Sequence, residues 1–153
     1  MKILPKLPAA HSFGDKIMII LGIDLGHART GLAVCDKTGF LASPAGVIAE
    51  RKDERLLEKL AEAAKEKQAE LIVVGHPKNM DGTCGQAAQR AESMAAQLEE
   101  MTKIKTVLWD ERCTTMVAHN YLNATDTRGK KRKKVVDEVA AVVILQSYLD
   151  SLK

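Results

Sequence analysis

The sequence predicts an α/β fold, a five-stranded mixed sheet with helices against it. Three features point there. Short apolar runs of strand length alternate with helix-period segments through the second half of the chain. The first half instead offers three strands with only turns between them. And 153 residues, 46% of them apolar, suit one domain with a single core.

The elements follow in order. Ile17 to Asp24 (IMIILGID) is a nearly continuous apolar run, as in a strand buried on both faces. Gly31 to Asp36 and Phe40 to Ile48 read as two more strands, with Lys37-Thr38-Gly39 as the turn between them, so the opening is an antiparallel meander. Leu56, Leu57, Leu60, Ala63 and Ala64 recur at helical spacing and predict a helix over Asp53 to Lys67, with Asp53 as its cap. Glu70 to Val74 is a buried strand, and Gly75 to Gly85 (GHPKNMDGTCG) is a loop rich in turn formers. A helix over Gln86 to Met101, a strand over Thr106 to Asp110, a short helix over Thr114 to Asn123, a basic loop and a closing helix over Val135 to Leu152 complete the chain. Strand–helix–strand units require parallel pairing with right-handed crossovers, whereas the meander requires antiparallel pairing; a mixed sheet satisfies both. Residues 1–17, with two prolines and no period, are expected to be a disordered extension, leaving residues 18–153 as the domain.

Composition narrows the function. No apolar run approaches the roughly 20 residues of a membrane span, and the N-terminal segment carries no secretory pattern, so a cytoplasmic location is expected. Cys35, Cys84 and Cys113 are odd in number and lack zinc-finger spacing, and His11, His27, His76 and His119 form no metal-binding motif, so free thiols and scattered imidazoles are expected. The net charge of +3 is small, but RGKKRKK at Arg128 to Lys134 concentrates cations. Lys130, Lys131, Arg132, Lys133 and Lys134 are either a solvated loop or a contact to a phosphate backbone, which would gain affinity by releasing counterions. Aromatic residues make up only 3% of the chain, which argues against a base-stacking platform.

Three acidic positions stand at the ends of elements. Asp24 closes the first strand between Gly22 and Gly26, where an acid bears a desolvation cost unless paired or bound to a cation. Asp110 and Glu111 close the last strand; alternation sends them to opposite faces, so only one can join Asp24, and spacing alone leaves the choice open. Asp137 opens the closing helix and shares a stripe with Ala140, Ala141 and Ile144, opposite Gln146, which should face water. Each has a plain alternative: a turn aspartate, a surface ion pair with Arg112, and a helix-terminal acid favoured by the dipole. Gathered together, such carboxylates suit Mg²⁺ or Mn²⁺, hard ions that a pair of sites can use for phosphoryl transfer.

The motifs GIDLGHARTGLAVCD, VVGHPKNMDGT, WDERCTT and KKRKKVVDEVAAVVILQSYL, spread from Met18 to Leu152, resemble the YqgF (RuvX) family of the ribonuclease H-like superfamily, which also includes Holliday junction resolvases. The resemblance implies a ribonuclease H-like sheet and metal-binding carboxylates at Asp24, Glu111 and Asp137, choosing Glu111 over Asp110. It implies Mg²⁺ or Mn²⁺ as cofactor and a nuclease that matures the 5′ end of pre-16S ribosomal RNA, with the small ribosomal subunit as a partner. Gly26, Arg29, Lys78, Asn79, Arg112 and the basic run are the expected substrate-binding residues. His27 and Ala28 depart from the family pattern, where Thr and Lys are expected, as do His76 and Lys78, where Leu is common. One alternative is a resolvase of four-way DNA, which would act as a homodimer and not a monomer, because two sites must face one junction. From other classes come an actin-like ATPase, for which the chain has material for only one of two lobes, and a non-catalytic RNA- or ribosome-binding module whose acids are structural.

Overall fold

The structure, a computed structural model, describes residues 18–35, 41–79, 81–113 and 129–152, with the backbone alone at 113 and 129–138. The proposed N-terminal extension, the Lys37–Gly39 turn and the short helix over Thr114 to Asn123 lie outside the described residues.

The elements are β1 (Ile20–Asp24), β2 (Arg29–Cys35), β3 (Ala42–Ala49), α1 (Asp53–Glu66), β4 (Leu71–His76), α2 (Gln86–Thr102), β5 (Lys105–Asp110), a 3₁₀ turn at Glu111–Cys113, and α3 (Gly129–Ser151). The five strands form one sheet in the order β3-β2-β1-β4-β5. β1 pairs antiparallel with β2, and β2 with β3; β1 pairs parallel with β4, and β4 with β5. The fold class and the mixed pairing are as the sequence predicts.

Two cores flank this sheet because alternate residues of each strand face opposite ways. On one side Leu21, Ile23, Leu32, Ile72 and Val74 pack against Leu56, Leu57 and Leu60 of α1 and Ala91, Met94 and Leu98 of α2. On the other, Ile20, Ala33, Cys35, Leu71 and Val73 pack against Ala141, Ile144, Leu145 and Leu149 of α3. Leu145 and the Ala141 carbonyl fill the space over Gly22. Trp109 of β5 locks onto the same helix: its Nε1–H donates to Ser147 Oγ at 3.1 Å, and its ring meets Tyr148 edge-on at 5.5 Å. The edge strand β3 carries Pro44 opposite a register shift at Leu32/Ala33, features suited to an unpaired sheet edge.

Three expectations are corrected. Asp53 does not cap α1: Lys52 holds the N-cap position without a side-chain bond, and Asp53 pairs with Arg90 instead. Gln146 faces water only in part: its Oε1 accepts the Ala42 N–H at 2.9 Å while its Nε2 donates to Asp150 Oδ1 at 3.0 Å on the surface, because α3 lies across β1, β2, β3 and β4 and is covered over a wide arc. The basic run is helix, not loop: α3 begins by Gly129, so Lys130 to Lys134 occupy its first turns and Asp137 stands well inside it. Lys and Arg are good helix formers, and the segment Gly129 to Val135 has no proline or internal glycine to interrupt propagation.

Candidate functional site: the carboxylate edge of the sheet

β1, β4 and β5 run parallel, so their C-terminal ends share one edge of the sheet. Ile23 is level with Val74, and Asp24 follows Ile23 as Gly75 follows Val74. Ile20 and Gly22 face α3, so alternation turns Asp24 to the α3 side as well. Asp24 is half-buried there.

Glu111 arrives on the same side from β5. Val107 and Trp109 pack towards α3, which puts Asp110 on the opposite face. The strand ends at Asp110, and Glu111 opens the 3₁₀ turn. Its carboxylate lies over Gly75: a Cβ there would collide with Glu111 Oε2 and would stand 2.7 Å from Ile144 Cδ1. The missing side chain at Gly75 is thus the space that the Glu111 carboxylate occupies. Adjacent strands are about 4.8 Å apart, so Asp24 and Glu111 become near neighbours on the α3 face, one strand removed. Burial raises the Glu111 pKa; the nearby His76 opposes the shift and Asp110 adds to it.

Asp110 has a different fate. Arg112 grips it through Nη2–Oδ2 at 2.6 Å, Nε–Oδ2 at 2.9 Å and the Arg112 backbone N–H to Oδ1 at 2.9 Å. The guanidinium and that N–H hold the Asp110 carboxyl below the usual range. Of the two adjacent acids, Asp110 is held by Arg112, and Glu111 is half-buried over Gly75 on the α3 side of the sheet. The ion-pair alternative therefore applies to Asp110.

Asp137 lies one turn before Ala141 on α3, and the Ala141 carbonyl borders Gly22 on β1. Its carboxylate lies outside the described side chains, as do those of Lys130, Lys131, Arg132, Lys133 and Lys134.

The expected substrate-binding residues surround the same edge. Gly26 turns the chain between β1 and β2 so tightly that a Cβ would meet the Arg29 carbonyl oxygen. Arg90 of α2 fixes that turn, donating from Nη1 to the Gly26 carbonyl at 3.0 Å while Nη2 meets Asp53 Oδ1 at 2.8 Å. Arg29 opens β2 opposite Ala49. Lys78 and Asn79 follow β4. The Asn79 side-chain amide donates to Thr83 Oγ1 at 2.9 Å and the Asn79 backbone carbonyl accepts from Gly82 N–H at 2.8 Å, so this residue shapes its own loop.

Sequence reasoning missed Gly75 and Arg90. Gly75 reads in the sequence as the first residue of a loop, whereas it lies within β4, where a glycine marks close approach of another group. Arg90 left no signal, because its partners are 37 and 64 residues away.

One mixed sheet in the order β3-β2-β1-β4-β5, with β2 alone antiparallel to its neighbours and helices on both faces, defines the class as a ribonuclease H-like domain. Comparison with known proteins places the chain within that class. The model of the RuvX family, described as Holliday junction resolvase, matches residues 18–151. A relative from Geobacillus kaustophilus is 48% identical over 137 residues, covering 88% of this chain and 99% of its own. One from Bacillus subtilis is 44% identical over 137 residues, covering 88% and 99%. Both bear the provisional name of a pre-16S rRNA nuclease. Among solved structures, T. thermophilus RuvC in complex with Holliday junction substrate superposes with a TM-score of 0.59 at 11% identity, covering 89% of this chain and 98% of that one. Fowlpox virus resolvase with its substrate Holliday junction DNA gives 0.59 at 10% identity, covering 88% and 99%. At such identities these structures speak for the fold. The chain belongs to the RuvX family, and it is a nuclease, a hydrolase of phosphodiester bonds.

Proposed function

We propose that this nuclease is metal-dependent and acts in the cytoplasm on the 5′ end of pre-16S ribosomal RNA, with Asp24, Glu111 and Asp137 as its metal-holding carboxylates. The observation that carries the reading is the Glu111 carboxylate seated over Gly75, which follows Val74 on β4 as Asp24 follows Ile23 on the neighbouring β1. An acid whose pKa is raised by burial is costly to ionise, and a divalent cation relieves that cost. The residues fit a hard ion: carboxylate oxygens are the ligands that Mg²⁺ and Mn²⁺ prefer. Bound there, such ions would supply an activated water and charge neutralisation at the leaving oxygen.

The chain's own residues do the rest. Asp24 and Glu111 hold their carboxylates at the rim, Asp24 on a strand end and Glu111 on a turn that Trp109 anchors to α3. Asp137, one turn before Ala141 on α3, is the third acid assigned to the metal. Arg29, Lys78 and the cations Lys130 to Lys134 hold the polyanion by its phosphates, contacts that position a nucleic acid without reading its sequence. The Asp110 ion pair keeps Arg112 at the edge, where it meets the backbone of the substrate. The basic first turns of α3 also suit docking on the RNA of the small ribosomal subunit.

Single-turnover cleavage of pre-16S rRNA and of a four-way DNA junction, side by side with Mg²⁺ or Mn²⁺, tests this. Wild type should cut the rRNA precursor and Asp24→Asn should not. Preferential cutting of the junction would transfer the chemistry to the resolvase reading suggested by the family's description. Cutting of neither, with tight RNA binding, would support a binding module instead.

A further inference from the structure

A second group of metal-ligating side chains lies on the other face of the sheet. His76 ends β4 on the side that packs α1 and α2, Glu92 is on α2, and Cys84 lies in the loop joining β4 to α2. His76 Nε2 is 2.8 Å from Glu92 Oε2, and one ligand atom from each of the three residues lies within 4.8 Å of the others. The His76 side chain is only 10% exposed, so one ligand is rigidly held, while Cys84 and Glu92 reach it from the surface.

An ion pair accounts for His76 and Glu92 but gives no role to a thiol brought against both. A cation accounts for all three. Imidazole and thiolate are the donors of a borderline-soft ion, and one carboxylate completes a set that Mg²⁺ would not select. Tetrahedral zinc, with bonds of about 2.0–2.3 Å, needs ligand atoms about 3.3–3.6 Å apart. The His76–Glu92 pair has only to open slightly, and Cys84, on an exposed loop, has only to close in. Three protein ligands leave the fourth position to water.

We propose that His76, Cys84 and Glu92 form a Zn²⁺ site, separate from the carboxylate edge, that fastens the β4–α2 loop to α2. That loop carries Lys78 and Asn79, so the metal would set the position of part of the candidate nucleic-acid contact. Neither cysteine spacing nor histidine spacing announces the site, because its ligands come from a strand end, a loop and a helix, eight residues apart at each step.

The test is zinc binding by the full-length protein, read by competition with a chromogenic chelator and by Co²⁺ substitution. Wild type should take up one tightly held zinc, and its Co²⁺ form should show thiolate-to-cobalt charge transfer. Cys84→Ser should lose that band, and both Cys84→Ser and His76→Leu should bind zinc at least about tenfold more weakly, the loss common even for groups one layer outside a metal. Asp24→Asn should bind zinc as wild type does. As a measurement independent of variant folding, Zn²⁺ but not Mg²⁺ should shield Cys84 of the wild-type protein from alkylation. Unchanged zinc affinity in Cys84→Ser, alkylation unaffected by Zn²⁺, or loss of binding in Asp24→Asn would each overturn the assignment.

Discussion

Gly75→Ala isolates the feature on which the site reading depends. The added Cβ would overlap Glu111 Oε2, approach Glu111 Cδ to 2.9 Å and approach Ile144 Cδ1 to 2.7 Å. Ordinary contact needs about 3.5 Å or more, so the carboxylate must move by roughly 1 Å. Overpacking of this kind costs about 1–3 kcal/mol, while a displacement of about 1 Å at reacting groups can cost about a hundredfold in rate. Gly75→Ala should therefore stay folded and lose about two orders of magnitude in single-turnover cleavage. Ile144→Val separates the two effects. It deletes the Cδ1 atom in the way, at about 0.5–1.5 kcal/mol on its own. In Gly75→Ala/Ile144→Val the two stability losses should be less than additive, because one clash has been removed. Cleavage should remain lost, because the Glu111 clash persists. Urea unfolding and cleavage at saturating RNA, both well below the melting temperature, give the two readouts. Wild-type cleavage in Gly75→Ala, or recovery of cleavage in step with stability in the double variant, would refute the placement of Glu111 as the functional feature.

Burial raises the Glu111 pKa, so without metal its stabilising contribution is fully present below the ordinary glutamate range and is lost as pH rises through the raised value. In EDTA, Glu111→Gln should thus match wild type in acid and exceed it in stability at neutral pH; urea unfolding at the two pH values would show the opposite trend if Glu111 were a stabilising ion-pair partner. Mn²⁺ should raise the wild-type melting temperature by ligand linkage and leave that of Asp24→Asn nearly unchanged, and a flat wild-type titration would count against the metal. Thr30 is fully buried, and its Oγ1 is without a hydrogen-bond partner among the described residues, so Thr30→Val should stabilise the fold by about 1 kcal/mol in chemical denaturation.

The sheet was legible because its strands are short apolar runs with sharp borders, and β1, β4 and both helices α1 and α2 fall within a few residues of the expected spans. The sense of pairing, antiparallel in the meander and parallel in the strand–helix–strand units, followed from the connections; the order of the strands did not. Asp24 could be picked out as an acid ending a buried strand. Choosing between Asp110 and Glu111 could not be done locally, because alternation says only that they diverge; the choice depends on Arg112 engaging the first and Gly75 making room for the second. The start of α3 was misjudged because a run of like charges reads as solvated loop, although its residues individually favour helix. Gln146 is only partly exposed because a single-face picture of a helix fails when the helix crosses four strands.

That basic start of α3 carries a cost that argues for a use. Lys130, Lys131, Arg132, Lys133 and Lys134 stand in the first turns as described, where the helix dipole disfavours positive charge. Lys130 with Lys133, Lys130 with Lys134, and Lys131 with Lys134 are like-charged at helical neighbour spacing, each pair unfavourable by about 0.2–0.5 kcal/mol. Lys133 with Asp137, Lys134 with Asp137 and Lys134 with Glu138 are oppositely charged at the same spacings and offset those pairs, so what alanine would recover is the dipole effect, about 0.3–1 kcal/mol, and alanine also keeps the helix because it has the highest helix propensity. Replacing all five with Ala should therefore stabilise the domain in low salt. The same variant should bind unrelated nucleic acids more weakly and with a flatter dependence on salt, because phosphate contacts have been removed. Cleavage at saturating substrate should fall far less than in Asp24→Asn, because what is lost is ground-state binding. Unfolding, binding at several salt concentrations and single-turnover cleavage measure the three terms on one protein. An unchanged salt slope would show that these cations are ordinary helix surface. A loss of cleavage at saturation as deep as that of Asp24→Asn would show that they act in the transition state, and the separation between holding the polyanion and cutting it would fail.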